Sequence, residues 1–216
     1  MGFGARDPAA LKTESSLEAA IRLYNGGDIQ GARAACDTAL ALAADPGILQ
    51  LRGLIALQAA DLAGARRDCD RSLALRPDHP PTLLVLARTQ RAAGDLAAAQ
   101  GTLERAITLV PATSGTHIDA QFLLALVCED RRDLDGAVRA LGRVLELAPQ
   151  RADAAVNLGI VLQESGRADA AFAAFGRAYR ARPETFGRIV VALSSARQGR
   201  LWLDLDALRG ELQRAA

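Results

Sequence analysis

Apolar residues recur along the chain with the spacing of an amphipathic helix. In one clear stretch the apolar positions follow one another at steps of three, four, three and four: Leu96, Ala99, Leu103, Ala106 and Val110. Residues at this spacing lie on one side of an α-helix, so the stretch predicts a helix with one buried face. Similar stretches recur along the sequence, and together they predict an all-α protein.

Turn signals interrupt this apolar pattern at a nearly regular interval. Residue pairs typical of turns recur along the whole chain: Gly27-Asp28, Ala60-Asp61, Gly94-Asp95, Arg132-Asp133, Gly166-Arg167 and Gly199-Arg200. A series of prolines is offset from these pairs: Pro46, Pro77, Pro111, Pro149 and Pro183. Because proline cannot continue a helix, each one closes a unit. The resulting period of about 34 residues predicts repeated helix-turn-helix units.

Small residues occupy one fixed position in each helix of these units. In the first helices the position holds Ala20, Gly53, Ala87, Ala125, Gly159 and Ala192. In the second helices it holds Ala32, Ala65, Ala99, Ala137 and Ala171. Helices whose axes approach to about 8 to 10 Å have room only for small side chains at their contact. The small residues therefore predict close packing between the two helices of each unit.

With these features the chain resembles the tetratricopeptide repeat family, as in the stretches LARTQRAAGDLAAAQGTLERAITLVP and NLGIVLQESGRADAAFAAFGRAYRARP. The resemblance covers about residues 13 to 200 and implies a right-handed superhelical solenoid of antiparallel helix pairs. We expect a flexible segment over residues 1–12. We expect five full repeats over residues 13–184, beginning near residues 13, 46, 80, 118 and 152. A degenerate sixth helix pair, residues 185–216, is expected to cap the C-terminal end, with Trp202 packed in it.

The longest interval between turn pairs separates Gly94-Asp95 from Arg132-Asp133 and predicts an extended connection between the third and fourth units. This connection has the sequence ATSGTHID, and insertions of this kind usually fall in loops. Both histidines, His79 and His117, lie at or near predicted loops. We therefore expect them to be solvated surface residues.

In the family that the chain resembles, first helices line a concave groove where partner segments bind. The resemblance implies a groove that contains Leu54, Leu84, Arg88, Arg91, Phe122, Leu126, Val156, Asn157 and Ile160. Apolar residues dominate this set, so the expected ligand is an apolar or amphipathic segment of a partner protein. One branch of the family clamps a partner's terminal carboxylate with Lys, Asn and Arg. Of that set only Arg88 remains, with Asn157 and Arg91 alongside, so we do not expect that activity.

The expected function is accordingly that of a non-catalytic adaptor or scaffold. An alternative is a self-assembling structural protein, a homo-oligomer whose groove is filled by its own terminus or by a neighbouring protomer. In another alternative the groove side chains pack within a tightly wound superhelix or against the first dozen residues. The dependence of molecular size on concentration distinguishes self-assembly from the adaptor.

Composition narrows the partner classes. The chain has 216 residues, half of them hydrophobic, with 26 basic and 25 acidic side chains and a net charge of +1. This balance gives no overall attraction to nucleic acid or to anionic lipid. The sequence has no apolar leader and no run of about 18 apolar residues, so we expect a cytoplasmic protein that does not bind membranes.

The residues with chemical reactivity do not form a recognisable site. Three cysteines, Cys36, Cys69 and Cys128, are an odd number without CxxC spacing, which argues against a disulfide framework and a zinc site. Their positions in the helical pattern predict core side chains. No GxSxG, GxxxxGK[ST] or HExxH motif is present, so we expect neither an enzyme nor a bound cofactor.

Overall fold

The computed structural model describes residues 8–194 and 204–215, with side chains from residue 16 onward. This part of the chain consists of α-helices and one 3-10 turn, and it contains no β-strand. The expected all-α fold class is therefore confirmed. Residues 1–7 of the expected flexible segment lie outside the described residues, as do residues 195–203 of the expected cap, including Trp202.

The helices follow one another as pairs. The first helices are α1 (Pro8–Asn25), α3 (Pro46–Gln58), α5 (Pro80–Ala92), α7 (Gly115–Asp130), α9 (Ala152–Glu164) and α11 (Phe186–Ser194). The second helices are α2 (Ile29–Leu42), α4 (Leu62–Leu75), α6 (Leu96–Thr108), α8 (Leu134–Leu147), α10 (Ala168–Ala181) and α12 (Leu205–Arg214). A 3-10 turn, Pro183–Thr185, precedes α11.

The chain forms two compact units, residues 1–102 and residues 103–216. In unit 1, α1 packs on α2 and α3 packs on α4, while the first helices α3 and α5 contact each other. In unit 2, α7 packs on α8 and α9 packs on α10. Each unit is therefore a stack of antiparallel helix pairs of the tetratricopeptide type.

The recurring turn pairs end one helix and begin the next. Gly199-Arg200 lies outside the described residues, and in the other five pairs the first residue has a positive φ, which is 84° at Gly27 and 59° at Ala60. An Asp usually follows and caps the second helix, because its carboxylate accepts a hydrogen bond from an N–H three residues later. The Asp61 Oδ1 to Gly64 N distance, for example, is 2.8 Å. The turn pairs thus have a structural reason to recur with the period of the fold.

The small residues aligned by the repeat pattern are buried in every pair, as expected. The contact between Gly53 and Ala65 shows why residues at these positions are small. A β-carbon on Gly53 of α3 would lie 3.3 Å from the carbonyl oxygen of Ala65 in α4. The two small positions therefore face each other and allow the helix axes to approach closely.

The longest interval between turn pairs contains extra helical residues at the start of α7. The expectation that the whole stretch ATSGTHID is a loop is therefore wrong. Ser114 caps α7 by accepting a hydrogen bond from the His117 N–H at 3.1 Å. As a result α7 has 16 residues, whereas α3, α5 and α9 have 13 each. His117 lies in the added turn and is buried, so the expectation of a solvated loop residue is wrong. His79 is half-buried just before α5, with Nδ1 2.7 Å from Thr82 Oγ1.

The last described helix closes unit 2. Leu208 and Leu212 of α12 are fully buried, and the helix packs against α10. Gly176 of α10 permits this contact, because a β-carbon there would lie 2.6 Å from the β-carbon of Ala215. Arg180 donates a hydrogen bond to the Leu212 carbonyl at 3.2 Å, which satisfies one of the free carbonyl groups at the end of α12.

Candidate protein-binding surface

On α3, α5, α7 and α9, one set of side chains outside the core follows a single face of each helix. In α3, Ile48, Leu49 and Ile55 are buried, whereas Leu54 on another side of the helix is half-buried. The residues of this set recur three or four positions apart, as a single helix face requires. We call the set in unit 1 the unit-1 strip; it comprises Gln50, Leu54, Leu57, Leu84, Arg88 and Arg91. We call the set in unit 2 the unit-2 strip; it comprises Asp119, Phe122, Leu126, Asp153, Asn157 and Ile160.

The unit-1 strip combines apolar and basic side chains. Leu54 and Leu84 are half-buried and lie on the neighbouring helices α3 and α5. Arg91 is half-buried as well, whereas Arg88 is exposed. Among the residues that the structure describes, Arg88 makes no hydrogen bond or ion pair. Its guanidinium group is thus available to a carboxylate of another molecule.

The unit-2 strip retains all but one of the expected residues. Phe122 and Ile160 are partly buried and pack on the core of unit 2, and Leu126 is also half-buried. Asn157 is half-buried and accepts a hydrogen bond from Arg188 at 3.2 Å. Val156 is an exception, because its exposure is 0% and it belongs to the core of unit 2. It cannot contact a partner, and its expected place in a groove is corrected.

Arg151 covers the aromatic side chain of the unit-2 strip. Its guanidinium carbon lies 5.2 Å from the centre of the Phe122 ring, within the range of a cation–π contact. Two carboxylates hold it there. Asp153 accepts hydrogen bonds from Nε and Nη2, both at 2.9 Å, and Asp119 accepts one from Nη1 at 3.1 Å. A partner that reached this ring face would have to displace a paired arginine.

The Arg151 hydrogen bonds also shift the titration of the groups that they join. They lower the pKa of the Asp153 carboxyl, although partial burial acts in the opposite direction. The hydrogen bond to Asp153 raises the pKa of Arg151, and the bond to Asp119 adds to this rise against the opposing effect of burial. Arg151 and Asp153 therefore stay charged at neutral pH.

Sequence reasoning missed Arg151, which lies in the connection before α9 and outside the first-helix pattern. The signal that was available is its separation from Asp119 along the chain, which is close to one repeat period. The same separation joins Arg167 to Asp135 and Arg132 to Glu164 in unit 2. Opposite charges at about one repeat period therefore indicate contacts between neighbouring helix pairs.

The three cysteines are core side chains, as expected. Cys36, Cys69 and Cys128 are free and buried. Burial raises the pKa of Cys36 to about 11 and that of Cys69 to about 12. Burial also raises the pKa of Cys128. The thiolate is the reactive form, so these positions are poor nucleophiles at neutral pH.

Within the described ranges, no group of three or more His, Cys, Asp and Glu side chains is arranged to hold a metal ion. The helices described here also include none with the length and apolar character that a membrane span requires.

Solved structures of other proteins share this fold. A tetratricopeptide repeat protein of Thermus thermophilus is 21% identical, with a TM-score of 0.70 over 84% of this chain and 99% of that one. MamA of Desulfovibrio magneticus RS-1 is 18% identical, with a TM-score of 0.68 over 83% of this chain and 98% of that one. A further MamA structure is 25% identical, with a TM-score of 0.57 over 76% and 89% of the two chains. No curated protein matches the sequence.

Family models give an independent comparison. Two models described as tetratricopeptide repeats match residues 56–114 and residues 122–184. Together the two stretches include more than half of the 216 residues, and they contain several of the turn pairs, many of the buried small residues and most of both strips. The chain therefore belongs to the tetratricopeptide repeat family.

Proposed function

We propose that this protein is a non-catalytic adaptor or scaffold that binds an apolar or amphipathic segment of a partner protein on its first-helix strips. Members of the tetratricopeptide repeat family are generally non-catalytic and bind protein partners, so a protein-interaction scaffold is the function that the fold supports. The proposal concerns the surface and the chemistry of the bound segment. We also propose five repeats over residues 13–184, followed by a capping helix pair.

One observation carries the proposal. The strips keep large apolar side chains at the edge of the core, where they are neither fully buried nor free in solvent. Leu54 and Leu84 have this position in unit 1, and Leu126 and Ile160 have it in unit 2. An apolar side chain that is half-buried on the free protein gains further burial when a partner covers it, at about 25 cal/mol per Å² of apolar surface.

The contact between Arg151 and Phe122 bears on which apolar residues of the unit-2 strip can anchor a partner segment. Phe122 is already covered on one face by Arg151, so its truncation removes an internal contact as well as any contact with a partner. Leu126 has no such cover in the described contacts and lies one turn further along α7. We therefore propose Leu126 and Ile160 as the apolar anchor positions of unit 2.

The test compares strip variants with matched variants on second helices. Leu54→Gln combined with Leu84→Gln changes the unit-1 strip. Leu42→Gln combined with Leu75→Gln is the control, because these leucines are exposed by 76% and 51% on α2 and α4 of the same unit. Partners are captured from native cells by crosslinking, and circular dichroism verifies that each variant is folded.

We expect the strip variant to lose its partners and the control to retain them. The loss of one anchor is expected to weaken binding by about 2 kcal/mol, because interface energy is concentrated in a few central residues. If the folded strip variant and the folded control variant capture the same partners in equal amounts, the binding surface lies outside the unit-1 strip. An increase of sedimentation coefficient with protein concentration, abolished by the strip variant, would instead favour the self-assembling alternative.

A further inference from the structure

Charges are segregated by sign among four of the first helices, α3, α5, α7 and α9, whereas α1 carries both signs and α11 carries Arg188. α3 and α5 contain three arginines and no acidic residue: Arg52, Arg88 and Arg91. α7 and α9 contain five acidic residues and no lysine or arginine: Asp119, Glu129, Asp130, Asp153 and Glu164. Because the whole chain is nearly neutral, this difference is a local property of these four helices.

Arg52 is engaged within unit 1. Arg52 donates hydrogen bonds to both carboxylate oxygens of Asp68, at 2.6 and 2.7 Å, and one to Asp37 at 2.8 Å. Both partners belong to second helices, so Arg52 points away from the strip. The cations of the unit-1 strip are therefore Arg88 and Arg91.

Arg88 is the member of this pair that can receive a partner. It is exposed, and the described part of the chain provides it with no hydrogen bond or ion pair. Leu84 lies one helical turn before it, and Leu54 lies on the adjacent helix α3. A cation beside two half-buried leucines is complementary to a segment that carries a carboxylate beside an apolar anchor.

The unit-2 strip has the opposite character. Asp119 and Asp153 share Arg151, so this cluster has one more negative than positive charge. Glu164, at the end of α9, pairs with Arg132 at 2.7 Å. α7 and α9 carry no Lys or Arg of their own, and the cations beside this strip, Arg151 and Arg188, are engaged with its side chains. A segment rich in carboxylates is therefore favoured by the unit-1 strip over the unit-2 strip.

We infer that the partner segment bound by the unit-1 strip is amphipathic and acidic, with side-chain carboxylates next to its apolar anchor and one of them paired with Arg88. This inference rests on the proposed function, since it names the partner chemistry of the same surface. The carboxylate belongs to an Asp or Glu side chain within the segment, not to the end of a chain. Charge of this kind acts mainly on partner selection and on the association rate.

Synthetic peptides test the inference on the full-length protein. Three helical peptides share the same leucines at positions i, i+3, i+4 and i+7, and their polar positions are all Glu, all Gln or all Lys. Each is acetylated and amidated at its ends, and a fourth Gln peptide has a free C-terminal carboxylate. Binding is measured by fluorescence anisotropy at low and at about 150 mM ionic strength, because salt screens exposed charges.

We expect the Glu peptide to bind at least about tenfold more tightly than the Lys peptide, a difference of about 1.4 kcal/mol, and to lose this advantage as salt is added. Arg88→Gln is expected to reduce binding of the Glu peptide to that of the Gln peptide and to leave the Gln peptide unaffected. Arg67→Gln is the control, because Arg67 is also an exposed, unpaired arginine of the described unit 1 but lies on the second helix α4.

The outcomes separate this inference from the proposed function. Equal binding of the Glu, Gln and Lys peptides, or tighter binding of the Lys peptide, would overturn the inference and retain an apolar binding strip. Equal effects of Arg88→Gln on the Glu and Gln peptides would overturn it too. So would a preference for the free C-terminal carboxylate over side-chain carboxylates. If no peptide binds, the proposed function of the strip fails.

Discussion

A β-carbon on Gly159 of α9 would lie 2.5 Å from Cδ1 of Phe175 in α10, a ring that is completely buried. The large Phe175 ring thus requires that the small first-helix residue opposite it, Gly159, has no β-carbon. In the second pair, a β-carbon on Gly53 would have its nearest contacts at 3.3 to 3.5 Å, including Sγ of the smaller Cys69.

This difference predicts results of different size for the same Gly→Ala substitution at the two positions. Gly159→Ala is expected to destabilise the protein by about 1 to 3 kcal/mol, because Phe175 cannot move away in a packed core. Gly53→Ala is expected to change stability by less than about 1 kcal/mol, since the higher helix propensity of alanine offsets a slight crowding. Urea unfolding curves of both variants provide the measurement. Equal destabilisation of the two variants would contradict the assigned packing.

A second prediction concerns the ion pairs of Arg52. Asp68 is buried and depends on Arg52 for its two hydrogen bonds, so Arg52→Met is expected to cost about 2 kcal/mol or more. Asp37 is half exposed, and Asp37→Asn is expected to cost less than about 1 kcal/mol. Thermal and urea unfolding distinguish the two. An Arg52→Met variant as stable as the Asp37→Asn variant would show that Asp68 is solvated.

The thiols provide a third prediction. Because burial holds the pKa of Cys36 near 11 and that of Cys69 near 12, almost no thiolate is present at mildly alkaline pH. We expect a small aromatic disulfide reagent to react slowly with the native protein and rapidly in denaturant. Cys36→Ala and Cys69→Ala variants assign the signal to each position. Rapid labelling of either thiol in the native state would be incompatible with its place in the core.

A fourth prediction concerns His79. Its Nδ1 contacts Thr82 Oγ1, which lies 2.7 Å from Ser72 Oγ, and Ser72 donates to the Pro46 carbonyl at 2.9 Å. Burial lowers the pKa of His79, and Arg76 lowers it further, whereas Asp45 acts in the opposite direction.

A folded-state pKa below the ordinary value of about 6.5 means that the unfolded chain binds the proton first as the pH falls. The contribution of His79 to stability is therefore complete above about pH 6.5 and is lost as the pH falls through its folded-state pKa. We expect His79→Gln to reduce the loss of stability between about pH 7 and about pH 5.5. The unfolding midpoints of the wild type and the variant at both pH values measure this loss of stability. If the variant loses as much stability as the wild type, His79 is not the source of the loss.

The sequence predicted most of the fold because the fold repeats. Turn pairs such as Gly27-Asp28 and small residues such as Ala99 recur with one period, so each unit supports the interpretation of the others. His117 escaped this reasoning because Ser114 provides an alternative N-cap, and the inserted residues then form one more helical turn. Ser114 is recognisable in the sequence as a residue type that caps helices. The sequence does not show that α7 begins at this cap.

The binding surface was less predictable, because burial depends on contacts between helix pairs. Val156 occupies the same repeat position as Phe122, yet it is fully buried whereas Phe122 is not. The contact between Arg151 and Phe122 joins residues of neighbouring helix pairs through a connecting segment, outside any helix pattern. Helical periodicity identifies a face of one helix, and neighbouring helices decide which of its residues remain accessible.

Neither helix of the α9–α10 pair has a side-chain cap at its N-terminus, since Arg151 and Arg167 occupy the capping positions. The first backbone N–H groups of α10 therefore lack the carboxylate acceptor that Asp28 or Asp61 provides in α2 and α4, whereas in α9 the Asp153 carboxylate contacts the N–H groups of the first turn. Amide protons at the start of α10 should exchange with solvent sooner than those at the start of α4. We therefore expect transient opening at the start of α10 to precede opening at the Asp-capped start of α4.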